Sequence, residues 1–209
     1  MIRATLLADG SSDEVLLHPL RWLLARTTPD EVNLVCADLR GLPRPIPRDQ
    51  LERRIAKAVE LCPCDLLFLH RDAEKQDPGL RYDELARCNR TGLPHVAVVP
   101  IRMQEAWMLH DEAELRRAAG RPSGREPLNL PKISAVEALP DPKQVLHDAL
   151  RAASGASGRR LDNLRPDKLA HDLAQRIEDW SPLLQLSAFQ RLEQDTRAAL
   201  AAMGCELYP

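Results

Sequence analysis

The chain has 209 residues, of which 44% are hydrophobic and 29% charged, with a net charge of −2. That composition excludes general disorder, allows one substantial core with room for an appended subdomain, and does not advertise a nucleic-acid partner by bulk charge. No stretch approaches the ~18 apolar residues of a membrane span, and the start meets Asp9 before a signal-peptide core is complete. The expectation is a cytoplasmic protein without a membrane partner.

In chain order, residues 2–8 form a short apolar run closed by Asp9-Gly10, and residues 15–24 have helical spacing with Ser11 or Ser12 available as a cap. Residues 32–37 read as a strand, 48–61 as an amphipathic helix, 65–69 as a strand, 80–89 as a helix and 95–101 as a fourth strand. Strands alternating with helices predict an α/β fold: a Rossmann-like, mostly parallel four-stranded sheet, because parallel neighbours need crossover connections. After residue 101 no strong strand signal returns. Helices are expected over 104–119, 141–153, 166–177 and 187–203, with Pro142 and Pro166 at first-turn positions. The domain reading is an α/β part over 1–119 and a helical C-terminal extension over 120–209.

Five cysteines without Cys-x-x-Cys spacing are expected to be free thiols, and no Gly-rich nucleotide loop is present. Charge is segregated: residues 116–168 hold 11 basic and 6 acidic side chains, against 15 and 19 over residues 1–115. Arg121, Arg125, Lys132, Arg159 and Arg160 in that basic stretch could track a phosphate backbone.

Two acidic signatures end apolar runs, Asp9-Gly10-Ser11-Ser12-Asp13-Glu14 and His70-Arg71-Asp72-Ala73-Glu74. Strand C-termini of an open α/β sheet are where ligands bind, and clustered carboxylates there suit a hard cation and a phosphorylated substrate. In an extended segment Asp72 and Glu74 would point to the same side and repel unless a cation lay between them. Glu105, after the fourth strand, would face the same crevice. A turn at Asp9-Gly10 and an ordinary capping cluster at Ser12, Asp13 and Glu14 are the alternative reading.

Five motifs in order carry a resemblance: Asp9-Gly10-Ser11-Ser12-Asp13, Asp72-Ala73-Glu74, Glu105-Ala106-Trp107-Met108-Leu109-His110-Asp111, Asp141-Pro142-Lys143 and Ser187-Ala188-Phe189. The chain resembles small stand-alone proteins of the Toprim superfamily, related to the overcoming-lysogenization-defect nucleases and found beside ATPases in bacterial phage-defence loci. The resemblance implies a Toprim-like catalytic domain and a nuclease cleaving DNA or RNA. It implies Asp9, Asp72, Glu74 and Glu105 as catalytic residues, and Asp9, Asp13, Asp72 and Glu74 as ligands of Mg²⁺ or Mn²⁺. It also implies a separate ATPase subunit, with homo-oligomerisation possible. The chain departs from the family pattern at Asp9, where the pattern has Glu, and at Glu74, where it has Asp. A catalytically weakened binding or regulatory subunit, or a phosphatase on a related fold, are the alternatives.

Overall fold

The computed structural model describes all 209 residues, apart from the side chain of Ser11. Four strands, β1 (Ile2–Leu7), β2 (Val32–Cys36), β3 (Leu66–His70) and β4 (His95–Val98), form one sheet in the order β2-β1-β3-β4. All three pairings are parallel. The chain leaves β1 to one side for β2 and returns to the other for β3, so the β1/β3 boundary is a topological switch point, where strand C-termini open a crevice.

Alternation along the strands divides the interior into two layers. Leu6, Phe68 and Val98 face a large core that also holds Leu20 and Leu23 of α1 (Leu17–Thr27). Leu7, Leu69 and Ala97 face a smaller one closed by α2 (Leu51–Leu61) and α3 (Pro78–Cys88). The α2 stripe of Leu51, Ile55 and Ala58 also contains Arg54, which is 6% exposed. A guanidinium within an apolar stripe needs a specific partner.

The single helix expected over 104–119 is interrupted. A 3-10 turn, Gln104–Met108, is followed by α4 (Glu112–Ala118), and the Asp111 side chain caps α4 by accepting the Glu114 N–H at 3.0 Å. Asp111 is thus a structural cap. Four further helices follow: α5 (Pro142–Ser154), α6 (Arg159–Asp162), α7 (Pro166–Arg176) and α8 (Ser187–Ala202). Asp141 caps α5 through the Gln144 N–H, as the Asp-Pro signal predicts, and left-handed Gly155 ends it at φ 58°.

The large core crosses the 119/120 boundary. Trp107 meets Phe189 of α8 edge to face at 5.2 Å between ring centroids, and both are buried together with Leu146, Leu173 and Trp180. Ser187 begins α8, and the Glu137 carboxylate caps that helix through the N–H groups of Ser187 and Ala188 and the Ser187 hydroxyl. The C-terminal Ser/Phe motif therefore serves packing and capping. All five cysteines are free, and no helix is long and apolar enough to cross a membrane.

Candidate functional site

Three strand ends and the corner after β4 supply the crevice. His70, the last residue of β3, is 2% exposed and lies between two carboxylates. Its Nε2 is 3.3 Å from Asp72 Oδ1 and its Nδ1 is 3.6 Å from Asp13 Oδ2. Burial by itself would lower the imidazole pKa, but the hydrogen bond to Asp72 and the charges of Asp72, Asp13 and Asp9 outweigh it and raise it.

Gln104 ties this group to the neighbouring turn. Its backbone N–H donates to Asp72 Oδ1 at 3.0 Å, and its side-chain amide donates to Asp13 Oδ1 at 2.8 Å. Asp13 also accepts the Gly10 N–H at 2.7 Å and the Ser12 hydroxyl at 2.8 Å. Asp13 is therefore held by three hydrogen bonds, and Asp72 Oδ2 has no hydrogen-bond partner among the described residues.

Glu105 follows directly. Burial lifts its carboxyl above the ordinary carboxylate range; Lys143 opposes the shift, and the nearby charges of Asp72 and Asp13 add to it. Lys143 Nζ is 3.6 Å from Glu105 and 3.2 Å from Asp167, and Asp167 in turn lies 3.3 Å from His147 Nε2. Residues of α5 and α7 thus reach the acidic centre of the α/β part. Gln104, Glu105, His147 and Asp167 line a cavity of about 560 Å³ between the turn and these helices.

Asp9 has a different environment. Its Oδ1 accepts from Arg54 Nη1 at 3.1 Å, and Arg71 Nε stands 3.8 Å from its Oδ2. Arg54 Nη2 also donates to the Ala8 carbonyl at 2.7 Å, so the buried guanidinium is fixed by backbone and side chain together. Burial lowers the Arg54 pKa, Asp9 opposes this, and the charges of Arg71 and Arg48 push the same way as burial.

The paired-carboxylate expectation for Asp72 and Glu74 requires correction. The chain leaves the extended conformation, and Glu74 sits in a turn at φ 52°, exposed, with its N–H donating to the Arg102 carbonyl at 2.9 Å. Arg102 is itself left-handed at φ 66°, and its Nη1 lies 3.4 Å from the Glu74 carbonyl. Strand alternation therefore does not carry from Asp72 to Glu74.

Among the described residues, no three His, Cys, Asp or Glu side chains are grouped so as to hold a metal ion. Asp9 is neutralised by guanidinium, Glu74 is turned out, and Asp13 and Asp72 are occupied by His70 and Gln104. Oxygen donors are present in the right chemistry, but the set as folded does not fit a shared divalent ion. The sequence brings Asp13, Asp72 and Glu105 together; it does not bring Asp9 or Glu74 to them as ligands.

The residues missed by sequence reasoning are Arg54, Gln104 and Asp167. Arg54 carried a signal, a cation at a stripe position of an amphipathic helix. Arg121, Arg125, Lys132, Arg159 and Arg160 are exposed, with Arg121 paired to Glu126 at 2.7 Å. No protein-family model matches the chain, and no match was found among curated proteins or solved structures.

The His70 environment sets a pH dependence of stability. A pKa raised by folding stabilises the protein fully below the ordinary histidine value of about 6.5 and loses that contribution as pH climbs through the raised folded value. Urea midpoints are expected to fall from pH 6 upward in the wild type, and His70→Gln should flatten that slope. An unchanged slope in the variant would remove His70 as its source.

Proposed function

We propose that the chain is a nuclease, hydrolysing phosphodiester bonds of DNA or RNA at the strand ends that carry Asp72 and Glu105. The observation that carries the reading is the Gln104-Glu105 corner. One amide N–H fixes Asp72, and the next side chain is a buried carboxyl that holds its proton above the ordinary carboxylate range. Two carboxyl groups whose environments differ in this way suit general base and general acid.

In this mechanism Asp72 Oδ2 takes a proton from water as the water oxygen bonds to phosphorus. The bond from phosphorus to the leaving oxygen breaks, and that oxygen receives the Glu105 proton. Lys143, shared between Glu105 and Asp167, is placed to offset charge on the phosphoryl oxygens. His70 and Gln104 are positioning residues that hold Asp72. No step is routed through Mg²⁺ or Mn²⁺, because the donor set as folded does not gather around one ion; the cation stays in the proposal through the resemblance, as does a separate ATPase in an anti-phage system.

Single- and double-stranded oligonucleotides of DNA and RNA, incubated with Mg²⁺, with Mn²⁺ and with chelator, test the reading, both for the isolated chain and with an ATPase encoded beside it. Cleavage is expected, with an alkaline fall in rate that follows Glu105; Glu105→Gln should lower the rate about 100-fold or more and remove that limb. No cleavage of any substrate in any condition would overturn the proposal.

A second reading, a binding or regulatory subunit of an ATPase complex, is favoured by one observation. Asp9, at the leading acidic position of the resemblance, is committed to Arg54.

A further inference from the structure

Beside the acidic crevice, at the C-terminal ends of β1 and β2, lies a second cavity of about 220 Å³. Arg40, Arg48 and Arg54 line it, with Leu39, Pro45 and Ile46 forming an apolar wall. It adjoins the larger cavity, since Glu14 and Arg40 line both.

The cations here are incompletely matched. Asp38 takes Arg40 through two hydrogen bonds, Asp9 takes Arg54, and Glu84 is divided between Arg71 and Arg81. Arg71 Nε is buried without a hydrogen-bond partner, and the guanidinium of Arg48, an exposed residue, makes no hydrogen bond or ion pair among the described residues. Arg71 Nη2 donates to the Arg48 carbonyl at 2.5 Å, which fastens the Arg48 backbone beside the cluster. The charged residues that line the cavity are equal in number, Arg40, Arg48 and Arg54 against Asp9, Glu14 and Asp38, and of these arginines Arg48 alone has its guanidinium free of a partner among the described residues. Gly10 leaves the space that Arg48 uses: a Cβ there would come within 3.0 Å of Arg48 Nη2.

We propose that this cavity is a subsite for a nucleotide's terminal phosphate. Arg48 meets the phosphate at the mouth, the ion-paired guanidinium of Arg54 lies behind it, and the sugar and base lie against Leu39, Pro45 and Ile46. Guanidiniums are suited to bidentate phosphate contacts, and an apolar wall with few polar groups is the usual make-up of a small-molecule site. The same chemistry would take either a free nucleoside monophosphate or the phosphorylated 5′ end of an oligonucleotide. For the second source the subsite rests on the nuclease reading. Asp9 in this arrangement is a positioning residue for the arginines.

The test is fluorescence anisotropy in chelator with a 3′-labelled DNA dodecamer carrying either a 5′-phosphate or a 5′-hydroxyl. Wild type is expected to prefer the phosphorylated end by about tenfold, the equivalent of one charge-assisted contact. Arg48→Gln, at an exposed position, should abolish the preference. Gly10→Ala should weaken it by displacing the same guanidinium, since the Gly10 backbone at φ −138° is open to alanine. Competition by AMP but not by adenosine would assign the subsite to free nucleotides as well; competition by neither would confine it to oligonucleotide ends. Equal affinity for the two ends without AMP competition, or a preference that survives Arg48→Gln, overturns the subsite. A preference for the phosphorylated end without cleavage in any metal condition leaves the subsite standing and removes the nuclease reading alone; cleavage without that preference or AMP competition removes the subsite alone.

Discussion

Asp72→Asn is expected to slow oligonucleotide cleavage by about 100- to 10,000-fold, the usual contribution of a positioned general base. Asparagine keeps an oxygen for the Gln104 N–H, so the 3.0 Å bond that orders the corner can persist. It removes the basic oxygen and the negative charge facing His70. Circular dichroism and urea unfolding of variant and wild type at the pH of the assay separate the chemical loss from unfolding. An Asp72→Asn protein that cleaves at the wild-type rate would eliminate Asp72 as the base; one inert in cleavage assays like its parent, yet still supporting cellular function, would favour the binding-subunit reading.

Trp107→Ala should cost about 3–5 kcal/mol of stability, the range for removing a large buried aromatic. Trp107 is 2% exposed, and its edge-to-face contact with Phe189 joins the turn after β4 to α8. The loss has two sources, a cavity in the large core and an aromatic pair worth ~0.5–1.5 kcal/mol beyond buried area. Urea unfolding followed by far-ultraviolet dichroism reads the total. Because Glu105 lies two residues away on the same 3-10 turn, cleavage should fall as well. A loss below about 1 kcal/mol would show that the turn and α8 do not share one cooperative core.

The sheet was legible because its signals are local: apolar runs of strand length, helical periods between them, and turn residues at their ends. All four expected strands are present, and the mostly parallel expectation becomes an entirely parallel sheet. Pro142 and Pro166 marked helix starts correctly because proline at the first turn forfeits no helical hydrogen bond. The helix expected over 104–119 failed at Asp111, whose short acid competes better as a cap than as a helix interior residue.

The site was legible in part. Asp72 and Asp13 follow strands and could be placed at strand ends by sequence alone. Glu74 could not, since its direction depends on a left-handed turn fixed by a backbone hydrogen bond to Arg102, 28 residues distant in sequence. The commitment of Asp9 to Arg54 spans 45 residues and depends on how α2 packs beneath β1. Lys143 was noted only through its motif; its contact with Glu105 joins segments that nothing in local periodicity relates.

Gln104 behaves as a strut. Its backbone N–H holds Asp72 just past β3, its side chain holds Asp13 from the turn after β1, and Glu105 is joined to it covalently. A displacement of that corner by an entering phosphate is therefore transmitted to three carboxyl groups at once. Substitutions at Asp13, Asp72 and Gln104 belong to one mechanical unit, and their effects on rate will not add as independent terms.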